Sequence, residues 1–411
     1  MNRLLLCLCI AWIGIGCSTD RKDNSETIYI HSLNSPATSP AAEPFLFTDA
    51  NNQVYLSWIE KKDTINFFKF SRLEDDQWTE PTTMAWGSSW FVNWADYPML
   101  AVNNNNYLAH YLARSGTGTY AYDVALVRSS DGKNWSEPFL LNTDNKEAEH
   151  GFVTILPYGD NFFVTWLDGR NTVMEGMASM EGDHHDGHHG AMSLRAAIID
   201  VNGNRLNEWE LDNRTCDCCQ TTAAITSNGP VVVYRDRSDD EIRDMSIVRF
   251  INNEWTKPQP VHEDRWKIAG CPVNGPRISS QGNYLAVAWF TAASDSAHVN
   301  VSFSADGGAT FDSPIQVDEG GAIGRVDLAM LDAERVIVSW MEGTSIKARV
   351  VHNDGTIDKS IEVANSSGAR SSGFPQMTRA ADKLVFAWTD DKEKNIKVAS
   401  IKWANLELLD Q

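Results

Sequence analysis

Four cysteines carry the most specific chemistry in the sequence. Cys216, Cys218 and Cys219 form a C-x-C-C run, and Cys271 follows further along the chain. Four cysteines allow three disulfide pairings, and an exported chain favours disulfides, for instance between Cys271 and one member of the run. The alternative is a thiolate site for Cu(I) or Zn(II), because thiolate sulfur binds both ions. The C-x-C-C spacing matches no standard zinc motif.

A second group of metal-binding side chain types lies in an insertion at 168–192. Its methionines and histidines include Met174, Met177, Met180, His184, His185, His188 and His189. Thioether sulfur binds Cu(I), and imidazole binds copper in either oxidation state. The tract resembles the Met- and His-rich tracts of periplasmic copper-handling proteins, which implies copper or zinc as the cofactor. The alternative is a flexible Gly/His/Asp loop with adventitious metal affinity.

Charged and aromatic loop residues form the third candidate group. Asp96, Asp168 and Asp236 are the candidate catalytic carboxylates, because glycoside hydrolysis needs two carboxyl groups at a separation of roughly 5–9 Å. The candidate ligand-binding residues are Trp94, His150, Arg170, Arg235, Arg237, Asn274, Arg325 and Asp327. Trp94 belongs to this set because aromatic rings stack on sugars. The alternative for the acidic residues is solvated loop side chains in ion pairs.

A repeated strand pattern must position these residues, since no segment has sustained helical periodicity. A short apolar strand recurs seven times, and it ends in an aromatic residue at Trp58, Tyr111, Trp166, Tyr234, Trp289, Trp340 and Trp388. Each repeat is long enough for four short strands and their turns, as in a β-propeller blade. The pattern predicts an all-β propeller of four-stranded blades, with seven blades favoured and six as the alternative. We expect residues 28–30 to pair with the last blade and close the ring.

The propeller topology predicts which loops meet. The loops that precede the innermost strand of each blade share one face with the loops between its second and third strands. The cysteines, the Arg/Asp loops and the insertion all belong to these two loop sets. We therefore expect them to surround one central funnel, which is the default ligand site of such a fold.

Two turns between third and fourth strands repeat a short motif. The first, SSDGKNW, contains Ser129, Asp131, Gly132 and Trp135, and the second, SADGGATF, contains Ser304, Asp306, Gly308, Thr310 and Phe311. Both resemble the Asp box, or BNR repeat, of the sialidase-like propellers. In that motif the aspartate accepts backbone N–H groups, a glycine supplies positive φ, and the aromatic ring fills the space between strands. The resemblance implies a single sialidase-like propeller over residues 28–411.

The resemblance to sialidases does not extend to their catalytic residues. Sialidases bind the substrate carboxylate with three arginines, the first in an Arg-Ile-Pro motif of the first blade, and use a late tyrosine as the nucleophile. In this sequence no arginine lies between Lys22 and Arg72, and no tyrosine follows Tyr284. We therefore do not expect exo-sialidase activity.

The N-terminus resembles a bacterial lipoprotein signal. A short basic start and an apolar run end at Gly16, and Cys17 and a polar segment follow. The resemblance implies a signal peptide at 1–16, acylation of Cys17 and a linker at 17–27. It also implies attachment to the bacterial cell envelope through lipid, in the outer membrane or facing the periplasm. The alternative is an ordinary secretory signal with an incidental cysteine.

The charge of the chain narrows the choice of partners. The formal net charge is −20, whereas phosphate binding needs a surplus of lysine and arginine, so we expect no nucleic-acid partner. The favoured prediction is a monomeric extracytoplasmic lipoprotein that binds a glycan or a metal ion in its propeller funnel. One alternative is a glycoside hydrolase of sialidase-like fold with different catalytic residues. The other is a copper- or zinc-binding envelope protein.

Overall fold

The chain folds into a ring of seven antiparallel β-sheets. The computed structural model describes residues 29–173 and 190–406. The first strand of each sheet contacts the first strands of the two neighbouring sheets, so that seven inner strands surround the centre. The prediction of a seven-bladed propeller is confirmed, and the six-bladed alternative is wrong. Within the two described ranges, no helix has the length and apolar character needed to cross a membrane.

The strands follow the chain from the centre of each blade outwards. The last blade contains β1 (His31–Leu33), and blade 1 contains β2 (Ala41–Thr48), β3 (Val54–Lys62), β4 (Ile65–Glu74), β5 (Gln77–Trp78) and β6 (Thr82–Gly87). Blade 2 contains β7 (Leu100–Asn103), β8 (Asn106–Arg114), β9 (Tyr122–Ser129) and β10 (Phe139–Leu140). Blade 3 contains β11 (His150–Tyr158), β12 (Asn161–Asp168), β13 (Met192–Ile199) and β14 (Arg205–Thr215).

The second half of the ring repeats this order. Blade 4 contains β15 (Thr222–Thr226), β16 (Gly229–Arg235), β17 (Met245–Ile251), β18 (Glu254–Trp255) and β19 (Gln259–Pro260). Blade 5 contains β20 (Arg277–Gln281), β21 (Tyr284–Thr291), β22 (His298–Ser304) and β23 (Ile315–Gln316). Blade 6 contains β24 (Ala322–Met330), β25 (Arg335–Glu342), β26 (Ser345–His352) and β27 (Ile361–Asn365), and blade 7 contains β28 (Gln376–Arg379), β29 (Lys383–Asp390) and β30 (Asn395–Lys402). Short helical segments lie at Ala293–Asp295, Arg370–Ser372 and Trp403–Leu406.

The N-terminal strand closes the ring. β1 pairs with β30 in antiparallel register, with His31 opposite Ser400 and Leu33 opposite Val398. An N-terminal strand therefore pairs with the last blade as expected, but it starts at His31; Tyr29 and Ile30 lie outside it, and residue 28 is not among the described residues. This pairing gives blade 7 its fourth strand and covers the edge of β30.

The recurrent tryptophan at the end of the second strand explains much of the repeat. Trp58, Trp166, Trp289 and Trp340 are at most 1% exposed and fill the space between neighbouring sheets. In three blades the indole N–H donates to the carboxylate two residues later, in the pairs Trp58–Glu60, Trp166–Asp168 and Trp340–Glu342, at 2.9 Å each. A buried indole needs a partner for its N–H, and the W-x-Asp/Glu spacing supplies one.

The two motif-bearing turns have closely similar hydrogen bonds. Asp306 Oδ1 accepts the backbone N–H groups of Ala309 and Thr310 at 2.8 and 3.0 Å. Asp131 Oδ1 likewise accepts two successive N–H groups at 2.8 Å. Gly308 has a φ of +82° and packs against Ile247, so this position requires a residue without a side chain. Both turns lie at the end of the third strand, away from the loops that carry the cysteines.

Candidate functional site

The loops that precede the inner strands meet at the centre of one face. Gln220 of blade 4 donates from Nε2 to the carbonyl oxygen of Ala95 in blade 2, at 2.6 Å. Its Oε1 accepts the backbone N–H of Gly275 in blade 5, at 2.9 Å. Asn274 Oδ1 accepts the backbone N–H of Arg325 in blade 6, at 2.7 Å. Loops of blades 2, 4, 5 and 6 therefore meet around one funnel, joined by the side chains of Gln220 and Asn274.

Several residues that the sequence predicted to be catalytic or ligand-binding connect one blade to the next. Asp96 Oδ1 accepts the N–H of Phe152 at 2.8 Å, which joins blade 2 to blade 3. Asp327 Oδ2 accepts the N–H of Met377 at 2.7 Å, which joins blade 6 to blade 7. Asn274 makes the corresponding link between blades 5 and 6. These side chains satisfy buried backbone N–H groups that the inner strands leave without a ladder partner.

Irregular backbone at the start of three inner strands shapes the funnel wall. The pairing register shifts between Ala42 and Phe45, between Gly151 and Thr154, and between Gly324 and Asp327. Within these three bulges Glu43, Phe152 and Arg325 have φ values of +52°, +51° and +54°. A bulge redirects side chains at the end of a strand, and it recurs here in blades 1, 3 and 6.

Three cysteines of blade 4 lie together at the rim of the funnel. Cys216 Sγ is 3.7 Å from Cys219 Sγ and 3.9 Å from Cys218 Sγ. All three sulfur atoms lie within 4.8 Å of one another. The three thiols and Cys271 are free. The four described cysteines therefore form no bond of the kind that the disulfide interpretation expects, because a disulfide requires sulfurs about 2.05 Å apart.

The C-x-C-C spacing is explained by a turn. β14 ends at Thr215, the chain turns over residues 217–219, and β15 begins at Thr222. The N–H of Cys216 donates to the carbonyl oxygen of Arg235 at 3.1 Å, which fixes the start of the turn. Four ligands at about 2.3 Å around a tetrahedral Zn(II) are about 3.8 Å apart, so the observed spacing suits a shared thiolate-bound ion.

A buried arginine supports negative charge on this cluster. Arg243 is 2% exposed, and its Nη1 donates to Cys216 Sγ at 3.2 Å while its Nη2 donates to Glu241 at 2.8 Å. Hydrogen bonds from Cys218 and Cys219, together with the charge of Arg243, outweigh burial and hold the pKa of Cys216 well below its ordinary value. A thiolate is the form of cysteine that binds metal ions. Arg243 lies in the loop between β16 and β17, and no motif in that loop indicates its contact with Cys216.

Cys271 lies beside the three-cysteine cluster but outside its compact group. Its thiol interacts with that of Cys218, and the residue is exposed. It lines a cavity of about 200 Å³. The other lining residues are Trp94, Pro272, Val273, Asn274, Ile323, Arg325, Gly368 and Arg370. Ile323 and Arg325 belong to the start of β24 and the other lining residues to loops before inner strands, so the cavity opens at the centre of the cysteine-bearing face.

Trp94 does not present a free ring to this cavity. Its ring stacks on Phe374, with 5.6 Å between centroids and an interplanar angle of 17°. The guanidinium groups of Arg325 and Arg370 lie over the same ring, at 5.1 and 6.0 Å from its centroid. These contacts give Trp94 a packing role and leave little of its faces for a sugar.

Two nominated arginines hold loops together. Arg235 is 1% exposed and donates to the carbonyl oxygens of Asn274, Arg243 and Phe290 at 2.7–3.1 Å. Arg325 donates to Ser372 Oγ and to the carbonyl oxygens of Gly373, Ala369 and Gly368 at 2.8–3.2 Å. Guanidinium groups that donate to several carbonyls fix irregular backbone. Their donors are therefore occupied, and neither side chain is poised to clamp a carboxylate.

Asp168, Arg170 and His150 form a buried ion cluster. Arg170 makes two hydrogen bonds to the Asp168 carboxylate, at 2.6 and 2.7 Å. His150 is fully buried, and its Nε2 lies 3.2 Å from Asp144 and 3.6 Å from Asp168. Burial opposes its charge, but these carboxylates outweigh burial and raise the pKa of His150. Asp144, His150 and Asp168 have the spacing of a metal site, yet Arg170 already neutralises Asp168.

Asp236 and Arg237 follow β16 and lie beside the cysteine turn, where Asp236 forms a β-bridge with Thr215. Asp236 accepts hydrogen bonds from Ser246 Oγ at 3.0 Å and from the N–H of Arg237 at 2.7 Å. Burial, with the nearby charge of Asp212, raises the pKa of Asp236 to about 6. Arg237 pairs with Asp217 at 3.2 Å and with Glu241 at 2.7 Å. Arg237 therefore neutralises the acidic residue inside the C-x-C-C run.

A carboxyl group outside the set of nominated catalytic residues, Glu149, belongs to the funnel. Tyr122 donates its hydroxyl proton to Glu149 Oε1 at 2.7 Å. Burial raises the pKa of Glu149 to about 8, against the opposing hydrogen bond from Tyr122. Asp96 has one carboxylate oxygen without a partner among the described residues, and burial raises its pKa to about 7. The position of Glu149 immediately before β11 was the sequence signal that could have identified it.

Two sets of predicted residues lie outside the described residues. They are Cys17 and the metal-binding side chains Met174, Met177, Met180, His184, His185, His188 and His189. The end of the insertion is described: its last residue, Met192, pairs with Thr215, which directly precedes Cys216. β13 starts at Met192 and therefore begins beside the cysteine turn.

Comparisons with known proteins support the fold. No protein-family model and no curated protein matches this chain. An α-L-arabinofuranosidase from Fusarium graminearum has 10% identity and a TM-score of 0.51, over 92% of this chain and 98% of that one. A protein of unknown function from Dyadobacter fermentans DSM 18053 has 14% identity and a TM-score of 0.49, over 90% of this chain and 98% of that one. The chain is thus similar in fold to the arabinofuranosidase.

Proposed function

We propose that this protein binds a soft metal ion, Cu(I) or Zn(II), at the rim of its propeller funnel. The ligands are the thiolates of Cys216, Cys218 and Cys219, with Cys271 as a further ligand. The observation that carries the proposal is the mutual proximity of three free thiols, whose sulfur atoms lie within 4.8 Å of one another in one turn. Thiolates that converge in this way bind Cu(I) and Zn(II) in preference to hard, oxygen-binding ions.

The surroundings of the cluster support an anionic ligand set. Arg243 donates directly to Cys216, and Arg237 neutralises Asp217 within the same turn. Partners in the outer shell of a metal site orient the ligands and tune their basicity. A bound cation would also balance the negative charge of the thiolates, because Arg237 and Arg243 alone do not cancel it.

The N-terminal sequence supports a location for this activity. A lipoprotein signal with acylation at Cys17 would attach the propeller to the cell envelope, as a monomer on a lipid anchor. The funnel would then bind metal ions outside the cytoplasm, in the outer membrane or facing the periplasm. Globomycin-sensitive processing and palmitate labelling that is lost in Cys17→Ser would test this part of the proposal.

Metal content tests the proposed function directly. Tag-free protein, purified under anaerobic and reducing conditions, should retain one equivalent of Cu(I) or Zn(II) after exposure to each ion and gel filtration. Cys216→Ser and Cys219→Ser should each lose that equivalent. The matched control replaces His184, His185, His188 and His189 by asparagine, and it should keep the equivalent. Retention of the metal ion by both cysteine variants would refute the proposal, and so would loss of the ion by the histidine variant. Two thiols fewer than expected in unreduced protein would also refute it, because that result would indicate a disulfide.

A second candidate function is glycoside hydrolysis. It is favoured by two carboxyl groups of the funnel wall, Asp96 and Glu149, whose pKa values burial raises to about 7 and about 8. A protonated carboxylic acid at neutral pH can act as the general acid that such hydrolysis needs. Turnover of aryl glycosides that is lost in Glu149→Gln would support this candidate, and the absence of turnover across a panel of aryl glycosides and sialosides would exclude it.

A further inference from the structure

We infer that Cys271 is the exchangeable ligand of the metal site, so that the protein passes its soft ion to a thiol- or thioether-bearing acceptor. This inference rests on the proposed metal-binding function and adds to it the transfer of the bound ion to an acceptor. The three cysteines of blade 4 form the permanent part of the site, and Cys271 of blade 5 is the part that opens. An ion that serves only to hold the fold together would instead have four equivalent, buried ligands.

The first argument is the contrast in exposure among the four thiols. Cys216 and Cys219 are 1% and 2% exposed, and Cys218 is intermediate. Cys271 is exposed and lines the central cavity of about 200 Å³. An acceptor that enters the funnel therefore meets Cys271 before it meets the buried sulfurs.

The second argument is the difference in backbone restraint. The N–H of Cys216 is tied to the carbonyl oxygen of Arg235 at 3.1 Å, at the end of a long strand. Among the described residues, the N–H groups of Gly270, Cys271 and Val273 donate to no partner. A Cβ added at Gly270 would meet only Ile268, at 3.9 Å, so the chain before Cys271 has open space around it. Segments with few backbone hydrogen bonds open at low free-energy cost.

The third argument is the asymmetry of charge. Arg243 donates a hydrogen bond to Cys216, and this contact stabilises the thiolate whether or not an ion is bound. Among the described residues, no cationic side chain donates a hydrogen bond to Cys271. Cys271 therefore lacks the contact that holds Cys216 in place, which makes it the ligand most readily replaced by another thiolate.

The exchange step involves no change of oxidation state. The thiolate of the acceptor forms a bond to the ion as the bond between the ion and Cys271 Sγ breaks. With a thiol acceptor, the proton that the acceptor loses on binding passes through solvent to the released Cys271 thiolate. A thioether acceptor loses no proton, and the Cys271 thiolate then takes one from the solvent buffer. Transfer is complete when further acceptor ligands displace the three sulfurs of blade 4.

The test measures Cu(I) transfer to the chelator bicinchoninate. Wild type, Cys271→Ser, Cys216→Ser and the matched loop control Ala269→Ser are loaded anaerobically with one equivalent of Cu(I), and transfer is followed by absorbance. Cys271→Ser should keep the equivalent after gel filtration and release it to bicinchoninate at least tenfold faster than wild type. Ala269→Ser should behave as wild type, and Cys216→Ser should retain no equivalent.

Each departure from this pattern has a distinct meaning. An unchanged transfer rate in Cys271→Ser would overturn the inference and leave the proposed function intact. Loss of the ion from Cys271→Ser to the same extent as from Cys216→Ser would also overturn it, because the four thiols would then be equivalent. Failure of the wild type to retain Cu(I) would remove the proposed function and the inference together.

Alkylation of the wild type gives a second readout that needs no variant. Iodoacetamide is added to apo and Cu(I)-loaded protein, and labelling of each cysteine is quantified by mass spectrometry. Cys271 should react more slowly in the loaded protein than in the apo protein, and in the loaded protein it should react before Cys216. Equal reactivity of Cys271 in the two forms would show that it is not a ligand and would overturn the inference.

Discussion

Replacing Asp96 by asparagine separates the structural role of this residue from a catalytic one. Asp96 is 4% exposed, its Oδ1 accepts the N–H of Phe152, and its Oδ2 has no partner among the described residues. Asparagine keeps the acceptor at Oδ1. Its amide NH₂ takes the place of the carboxylic O–H, so that an unpaired donor occurs in both proteins. The variant therefore differs from the wild type chiefly in its inability to ionise.

The size of the effect follows from the pKa. Burial raises the pKa of Asp96 to about 7 from its ordinary value of 3.8. An acid with a raised pKa stabilises the fold at low pH, and this contribution is lost as pH rises through the folded-state pKa. One pKa unit corresponds to about 1.4 kcal/mol, so between pH 5 and pH 8 the wild type should lose about 2.7 kcal/mol relative to Asp96→Asn.

Urea denaturation of the metal-free proteins, followed by tryptophan fluorescence at pH 5, 6, 7 and 8, measures this difference. The free energies of unfolding of the two proteins should diverge with rising pH and run parallel above pH 8. Parallel curves from pH 5 onwards would refute the reasoning, because they would mean that Asp96 is ionised in the folded protein throughout. Pairing Asp96→Asn with an activity assay also tests the second candidate function, since a general acid cannot be replaced by an amide.

Three further predictions concern the site and its supports. Arg243→Gln should weaken binding of Cu(I) or Zn(II) by about 10- to 100-fold in competition titrations, as outer-shell changes do, whereas Arg243→Lys should weaken it less because it keeps the charge. Gly324→Ala should lower the free energy of unfolding by about 1–3 kcal/mol more than Gly343→Ala. Both glycines have positive φ, but a Cβ at Gly324 would overlap the Asn274 side chain, whereas a Cβ at Gly343 meets nothing within 4 Å. His150→Gln should flatten the loss of stability that the wild type suffers as pH rises above neutrality, because the raised pKa of this histidine stabilises the fold only while the ring is protonated.

The repeat could be predicted from the sequence because its period is set by the packing of one blade against the next. Each blade needs one large ring between its sheet and the next, and Trp58, Trp166, Trp289 and Trp340 supply it. The recurrence of that ring at blade length gave the all-β class and the favoured blade number. The sequence determined the position of the closing strand less well. β1 is only three residues long, and its pairing with β30 depends on where the N-terminal segment meets the last blade.

The candidate site could be predicted only in part from the sequence. The position of a residue in a loop does not show whether its polar side chain already has hydrogen-bond partners within the protein. Asp168 illustrates the difficulty. In the sequence it is an acidic residue at a loop, but the same W-x-Asp/Glu pair occurs at Trp58–Glu60 and Trp340–Glu342, on blades with no cysteines. A comparison between repeats would have identified a recurrent indole acceptor. Arg243 gave no such signal, since its contact with Cys216 depends on the three-dimensional path of two loops.

The structural roles of the nominated residues make the metal proposal more specific. Asp96, Asn274 and Asp327 accept backbone N–H groups across blade boundaries, and Arg235 and Arg325 donate to carbonyl oxygens of loops. Groups used in this way cannot be reassigned to a ligand without opening the ring. Among the described residues of the funnel, the polar side chains without such a role include the four thiols, Arg370 and the Tyr122–Glu149 pair. The thiols are the largest chemical class in this set, and this supports our proposal of a soft metal ion as the ligand.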